Sequence, residues 1–80
     1  MKTIHDERYI RLVAELRRIR EERGLTQVAV ALKMRWSRSA VSKIETRERR
    51  VDVLEVYDLC ALYGIRLADL EPLLRGERRS

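Results

Sequence analysis

Apolar residues follow a helical period along most of the chain. In the first third they recur at spacings of three and four and form one stripe, made of Tyr9, Leu12, Val13, Leu16 and Ile19. Such a stripe predicts an amphipathic helix that begins near Asp6 and ends at Gly24, because glycine readily takes the left-handed conformation that ends many helices. No strand-like alternation and no hairpin dipeptide such as Asn-Gly occurs in the sequence. We therefore predict an all-α fold.

Two short helices are predicted between residues 27 and 45, with almost nothing between them. Thr26 is a natural N-cap for a helix over about 27–33, and Ser37 is a natural N-cap for a helix that starts at Arg38. The apolar positions that would face inward are Val30, Ala31, Val41 and Ile44. Two helices joined by a turn of about three to four residues form the helix-turn-helix pattern.

The remaining apolar residues predict a fourth helix and a short fifth element. The fourth helix is expected from about Asp52, its N-cap, to Tyr63, with Gly64 at its end and one apolar side made of Val53, Val56, Tyr57, Cys60 and Tyr63. The segment "LADLEPLL" forms the fifth element and should be interrupted near Pro72. We expect one domain over 1–80, with its core at about 6–74 and a frayed basic tail at 75–80.

The composition narrows the class of protein. A chain of 80 residues can bury one modest core, and a hydrophobic share of 45% is too high for a disordered chain. The single cysteine, Cys60, excludes an internal disulfide and suits a reducing cytoplasm. The sequence holds no glycine-rich phosphate loop, metal-ligand cluster or nucleophile–base arrangement, so we expect no enzyme, no catalytic residue, no metal and no cofactor. Neither a membrane span nor a signal peptide is expected.

Charge is distributed unevenly along the chain. The net charge is +5, and residues 33–50 alone carry seven basic against two acidic side chains. Residues 51–77 carry two basic against six acidic side chains. A basic balance suggests nucleic acid or an anionic membrane surface as a partner, although a basic block can also be an ordinary solvated surface. The segregation favours one positive face.

Several short motifs occur in a fixed order between Leu16 and about Leu70. They are Leu25-Thr26-Gln27, Ala31, Ser37-Arg38-Ser39, Val41-Ser42, Ile44-Glu45, Arg49 and Leu62-Tyr63-Gly64-Ile65. This ordered set resembles the Cro/repressor type of DNA-binding domain, the Xre family. The resemblance implies a compact five-helix, lambda-repressor-like helix-turn-helix domain whose third helix enters the major groove of DNA.

The resemblance also implies roles for particular side chains. Base-contacting positions correspond to Arg38, Ser39, Ser42 and Lys43, and an arginine can bond guanine with two parallel hydrogen bonds. Contacts to the DNA backbone correspond to Gln27, Ser37, Thr46, Arg47 and Arg49. Arg35 is a further predicted contact, which would reach a phosphate beside the third helix; the alternative is that arginine stands there by drift. Arg35 takes the place of a left-handed glycine in the turn, and a non-glycine residue there costs roughly 1–2 kcal/mol. Thr46-Arg47 takes the place of an Asn-Gly pair.

Three further residues have a structural interpretation. Trp36, in the turn, is expected to pack partly into the core rather than to stack on nucleic acid. Glu45 is expected to be the ion-pair partner of a nearby arginine. Cys60 is expected to be a buried thiol without a redox role.

The implied function is that of a sequence-specific regulator that binds double-stranded DNA, a small repressor on a palindromic operator. Since one helix contacts few base pairs, specificity calls for a homodimer on two half-sites about 34 Å apart. We expect the dimer interface at Tyr57, Leu62, Leu73 and Leu74. The alternative is an antitoxin-type module that neutralises a partner protein, through its acidic C-terminal part, and autoregulates its operon.

Overall fold

The computed structural model describes residues 5–76, and this part of the chain is all-α, as predicted. Its helices are α1 (Glu7–Glu22), α2 (Gln27–Met34), α3 (Arg38–Glu45), α4 (Val53–Tyr63) and α5 (Glu71–Leu74), with a 3-10 helix (Leu67–Leu70) before α5. The predicted basic tail falls mostly on 77–80, outside the described residues.

The first four helices each begin with a side chain that caps the backbone. The side chains of Asp6, Thr26 and Ser37 accept hydrogen bonds from backbone N–H groups two or three residues later, at 2.8, 3.0 and 3.0 Å. Asp52 accepts from the N–H of Glu55 at 2.8 Å, and the Glu55 carboxylate accepts from the N–H of Asp52 at 3.1 Å. This reciprocal pair is a capping box, which satisfies two helix-end donors at once. All four predicted helix starts are confirmed.

The same four helices end in one shared backbone pattern. A left-handed residue follows each helix: Gly24 (φ 72°), Arg35 (φ 59°), Arg47 (φ 64°) and Gly64 (φ 76°). After α2, for example, the N–H of Arg35 bonds the carbonyl of Leu32 and the N–H of Trp36 bonds the carbonyl of Ala31, at 3.4 and 2.9 Å. This is the Schellman arrangement, which satisfies carbonyls at the helix end. The left-handed conformation expected of Arg35 is confirmed.

The core lies between α1 and the other helices. Every residue of the predicted α1 stripe is buried, together with Val30, Ala31, Val41 and Ile44. Val51 is also buried, and its N–H donates to the hydroxyl of Tyr9 at 3.0 Å, which fastens the α3–α4 loop to α1. Cys60 is a buried free thiol, as predicted, and burial raises its pKa.

The predicted core side of α4 is wrong in part. Val56, Cys60 and Tyr63 are buried, but Val53 and Tyr57 are 67% and 58% exposed. Leu59, absent from the predicted stripe, is buried instead. Apolar residues occupy most of the circumference of α4, so the sequence offers no single stripe, and packing against α1 and α2 decides which side is buried.

The fifth element is broken as predicted. The 3-10 helix ends at Leu70 and α5 begins at Glu71. Pro72 therefore lies in the first turn of α5, where its missing N–H would have no partner in the helix. Leu70 is almost completely buried, which anchors this element on the core.

Candidate nucleic-acid interface

The joint between α2 and α3 consists of three residues, Arg35 to Ser37. Arg35 turns the chain in the left-handed conformation, and Ser37 caps α3. Trp36 between them is half-buried and packs against the core cluster, which confirms its predicted packing role. A joint this short holds α3 at a fixed angle to α2.

One side of α3 faces the core and the other faces solvent. Val41 and Ile44 are buried, while the side chains predicted to contact bases are exposed at Arg38, Ser39 and Lys43 and half-buried at Ser42. The structure therefore brings these four residues onto one exposed helix surface. Their spacing suits an α-helix that presents its N-terminal half to base edges in a major groove.

A buried ion pair holds the C-terminal end of α3. The guanidinium of Arg20 on α1 donates to both carboxylate oxygens of Glu45, at 2.6 and 3.1 Å, and to the carbonyl of Leu25 at 2.7 Å. Side-chain exposures are 8% for Arg20 and 7% for Glu45. The hydrogen bond to Glu45 raises the pKa of Arg20, partly offset by burial. The prediction that Glu45 partners an arginine is confirmed.

Gln27 joins the same network from α2. Its side-chain amide donates to Glu45 at 2.9 Å, so the first residue of α2 and the last residue of α3 are directly bonded. Gln27 therefore braces the C-terminal end of α3. Its contact with a phosphate stays a prediction, and its amide has a second N–H that the bond to Glu45 does not use.

Ion pairing divides the cationic side chains into two groups. The arginines of α1 are paired with carboxylates, as in Arg11–Glu7 at 2.8 Å and Arg18–Glu15 at 2.8 Å. Within residues 5–76, no carboxylate lies within ion-pair distance of a second group, Lys33, Arg35, Arg38, Lys43, Arg50 and Arg66. All but Arg66 lie on α2, α3 or the adjoining loops, so positive charge is uncompensated around the exposed surface of α3.

Comparison with known proteins decides the family. The family model described as "Helix-turn-helix" matches residues 16–70. This chain belongs to the helix-turn-helix family. The match covers the two helices and the turn described above together with α4, and the family is of the Cro/repressor (Xre) type that the motifs indicated.

A curated relative is similar to part of this chain. The "HTH-type transcriptional regulator PrpR" of Mycobacterium tuberculosis (strain ATCC 25618 / H37Rv) is 45% identical over 56 residues. The alignment covers 62% of this chain and 12% of that protein, so this chain spans a small part of its relative's length. No solved structure matches the chain.

The loop after α3 of this helix-turn-helix domain places its three predicted phosphate-contacting residues in different surroundings. The hydroxyl of Thr46 lies 2.9 Å from a carboxylate oxygen of Glu48. Arg47 is half-buried and lines a groove with Arg17 and Glu21 of α1. Arg49 is hydrogen-bonded to Glu55 within the protein, so the loop does not present three equivalent groups to a ligand.

Arg49 and Glu55 form a pair that the sequence analysis missed. The guanidinium of Arg49 donates to both carboxylate oxygens of Glu55, at 2.7 and 3.3 Å. It also lies 5.8 Å from the centroid of the Trp36 ring. The sequence held one indication, because Glu55 stands three residues after Asp52 in a capping-box spacing. That spacing fixes the position of the carboxylate but does not name its arginine.

The four residues predicted at a dimer interface differ in exposure. Tyr57 and Leu74 are exposed, whereas Leu62 and Leu73 are half-buried and pack against the core cluster. Two apolar residues outside the prediction, Val53 and Leu54, are exposed on α4. The exposed apolar surface of α4 therefore begins nearer its N-terminus than the predicted set suggests.

Two other kinds of site are absent from the described part of the chain. Among residues 5–76, no group of three or more His, Cys, Asp or Glu side chains is placed to hold a metal ion. No helix in that range is long and apolar enough to cross a membrane.

Proposed function

We propose that this chain is a sequence-specific DNA-binding transcriptional regulator that acts in the cytoplasm and represses a promoter by occupying it. The observation that carries the proposal is the group of uncompensated cations around the exposed surface of α3. The C-terminal end of this helix is fixed by the ion pair of Arg20 and Glu45. Uncompensated Lys and Arg side chains release counterions from DNA and supply much of its binding free energy. Membership of the helix-turn-helix family and the similarity to the transcriptional regulator PrpR support the same proposal.

The proposed base contacts come from the exposed surface of α3. Arg38 stands in the first position of the helix, where its planar guanidinium can bond the O6 and N7 atoms of one guanine. The remaining proposed base contacts are Ser39, Ser42 and Lys43. Hydroxyl groups can donate to or accept from a base edge, so these serines add readout at neighbouring positions.

The proposed phosphate contacts lie at the two ends of α3 and at the start of α2. They are Gln27, Arg35, Ser37, Thr46 and Arg47. Ser37 accepts a hydrogen bond from Ala40 and keeps its hydroxyl proton available for a phosphate oxygen. Phosphate contacts set the orientation of α3 and carry no sequence information themselves. Arg49 is a different case, since its guanidinium is already paired with Glu55.

Selection of bound duplexes from a random DNA pool tests the proposal. We expect an enriched palindromic motif. Arg38→Ala should then weaken binding to that motif by about 1–3 kcal/mol and relax the preference at one base pair per half-site. Arg66→Ala is the matched control, because Arg66 is also exposed and unpaired but lies just before the 3-10 helix. If no motif were enriched, or if Arg38→Ala kept the wild-type preference, the assigned surface of α3 would be wrong.

We also propose a homodimer built on α4 and α5. A single recognition helix contacts few base pairs, and an interface at Tyr57, Leu62, Leu73 and Leu74 would place two such helices on one operator. Tyr57 and Leu74 offer the exposed area, and the neighbouring Leu54 extends it. Two copies that meet on this surface would each cover the apolar side chains of the other.

Sedimentation and binding stoichiometry test the dimer. We expect a dimer at micromolar concentration and two chains per palindromic site, with Leu54→Ser combined with Tyr57→Ser giving a monomer. Leu32→Ser is the control, because Leu32 is as exposed as Leu54 but lies on α2. A wild-type monomer, bound as one chain per operator, would remove the homodimer. It would favour the alternative in which the apolar surface of α4 meets a different protein, as in an antitoxin-type module.

A further inference from the structure

Arg49 lies where three parts of the domain meet. Its guanidinium is held by both carboxylate oxygens of Glu55 on α4, at 2.7 and 3.3 Å. Its guanidinium carbon lies 5.8 Å from the ring centroid of Trp36, within the distance at which a guanidinium is attracted to an aromatic face. Arg49 itself belongs to the α3–α4 loop, so one side chain connects the turn before α3, the loop after it and the start of α4.

The partner of Arg49 is held in a fixed position. The Glu55 carboxylate also accepts the N–H of Asp52 at 3.1 Å, while the Asp52 carboxylate caps the N–H of Glu55 at 2.8 Å. The loop just before Asp52 is fastened by the bond between Val51 and the Tyr9 hydroxyl. Because the carboxylate cannot follow a moving guanidinium, the pair with Glu55 restricts Arg49 to one place.

Charge compensation separates Arg49 from its cationic neighbours. Among residues 5–76, no carboxylate lies within ion-pair distance of Arg35, Arg38 or Arg50, whereas Arg49 is paired at 2.7 Å. The hydrogen bond to Glu55 raises the pKa of Arg49. A move to a phosphate would leave the Glu55 carboxylate, which is 18% exposed, unpaired next to a polyanion. Glu55 would keep the hydrogen bond from the N–H of Asp52 but lose its charge partner, which is unfavourable for a partly desolvated carboxylate, so the pair resists that exchange.

We propose that Arg49 is a positioning residue that sets the angle of α3 in the groove and does not bind a phosphate. It acts through Trp36, which directly precedes the cap of α3 at Ser37 and is held between Arg49 and the core. A shift of Trp36 would displace Arg38, the first residue of α3. This inference rests on the proposed function, since it concerns how α3 meets base edges.

Affinity for the selected duplex and for a random duplex, each measured over a range of salt concentrations, tests the inference. Base contacts need close alignment and phosphate contacts tolerate more movement. Arg49→Lys should therefore weaken binding to the selected site by about tenfold, the share of one misaligned bidentate base contact. Binding to random duplex and the salt dependence should stay unchanged. Glu55→Gln should change specific binding in the same direction, because it removes the charge that holds Arg49.

Two control variants match the changes in chemistry. Arg66→Lys makes the same exchange of side chain at an exposed arginine outside the surface around α3, and Asp58→Asn removes one exposed carboxylate charge from the same helix as Glu55. Both should keep the wild-type ratio of specific to non-specific affinity. Trp36 is the single tryptophan of the chain, so its fluorescence reports directly on the turn. The emission should change in Arg49→Lys and Glu55→Gln and stay constant in the controls.

A phosphate-binding Arg49 would give the opposite results. Arg49→Lys would keep most of the affinity, Glu55→Gln would strengthen binding to all sequences, and Arg49→Ala would lower the salt slope by about 0.9. Any of these outcomes in folded variants, as judged by circular dichroism, would overturn the inference. If Arg49→Lys did not fold, the sign of the Glu55→Gln effect would decide. A wild-type chain that enriched no motif would instead overturn the proposed function.

Discussion

The ends of α1 and α4 and the ends of α2 and α3 have the same backbone and different side chains. All four helices close with a left-handed residue and the Schellman pair of hydrogen bonds. Glycine provides that residue after α1 and α4, at Gly24 and Gly64, and arginine provides it after α2 and α3, at Arg35 and Arg47. A left-handed non-glycine residue costs roughly 1–2 kcal/mol, a large amount for a domain whose total stability is about 5–15 kcal/mol.

Available space does not explain the difference. A Cβ atom built on Gly24 or Gly64 would meet no other atom within 4 Å, so the ends of α1 and α4 could hold a side chain without a clash. The two arginines flank α3, and Arg35 has no ion-pair partner among the described residues. Glycine, which is not strained in this conformation, therefore occurs where the chain only needs to turn. Strain occurs where a turn also carries charge beside the proposed interface.

The largest effect is expected at the buried ion pair of Arg20 and Glu45, which anchors α3. Glu45→Ala should lower the free energy of unfolding by about 3–5 kcal/mol, because it leaves the buried guanidinium of Arg20 without the carboxylate that accepts two of its hydrogen bonds. Urea unfolding followed by circular dichroism measures this loss. Glu22→Ala, which removes an exposed partner of Arg18 and Arg23, should cost about 1 kcal/mol or less. Equal losses in the two variants would mean that α3 is held mainly by apolar packing.

The next largest effect is expected when arginine replaces the glycine that follows α4. Gly64→Arg should lower the free energy of unfolding by about 1–2 kcal/mol, because the left-handed conformation is then strained as it is at Arg35. DNA affinity should stay constant if the C-terminal end of α4 lies away from the interface. Gly24→Arg should give a similar loss of stability after α1. If neither variant lost stability, left-handed strain would not distinguish the two groups of helix ends.

A smaller effect is expected from the reverse exchange at the interface. Arg35→Gly relieves roughly 1–2 kcal/mol of strain, but the extra freedom of glycine in the unfolded chain removes about 0.4–1 kcal/mol of that gain. We therefore expect a rise of a few degrees in the thermal midpoint. The slope of log affinity against log salt should fall by about 0.9 if Arg35 contacts one phosphate. An unchanged slope would leave the charge of Arg35 without a role in DNA binding.

The smallest effect is expected at a buried core residue, Tyr63, and not at a left-handed residue. Burial raises the pKa of Tyr63 to about 12, and an unfolded tyrosine titrates near 10. Since the unfolded chain loses this proton first, stability is complete below about pH 10 and falls as the pH rises toward 12. The loss at pH 10 is on the order of a few tenths of a kcal/mol. Thermal midpoints from pH 8 to pH 11 should show it, and Tyr63→Phe should reduce it.

Local features made much of the fold predictable from the sequence. The capping residues Asp6, Thr26, Ser37 and Asp52 act on backbone groups within three residues, so their roles can be inferred without knowledge of the tertiary structure. The buried side of α4 was not predictable in full, because Val53 and Tyr57 are as apolar as the residues that pack inward. In that helix the neighbouring helices choose the buried side.

Parts of the candidate interface depend on long-range contacts or on unusual backbone. Arginine has no preference for the left-handed region, so nothing in the residue type at Arg47 indicates its positive φ. The contact between Arg49 and Trp36 joins residues from two different turns, and the sequence offers no pattern for it. The exposed positions of Arg38, Ser39 and Lys43 were predictable, because they follow from the buried spacing of Val41 and Ile44.

The short-range hydrogen bonds at both ends of the first four helices have a consequence for the rate of folding. The N-caps and the left-handed ends bond residues within a few positions of one another, and the joint of α2 and α3 is three residues long. Chains dominated by such short-range contacts fold in microseconds to milliseconds, because little loop entropy is lost before contacts form. The pair of Arg20 with Glu45 closes 25 residues of chain. Its formation should therefore follow the helices, and Glu45→Ala should speed unfolding more than it slows folding.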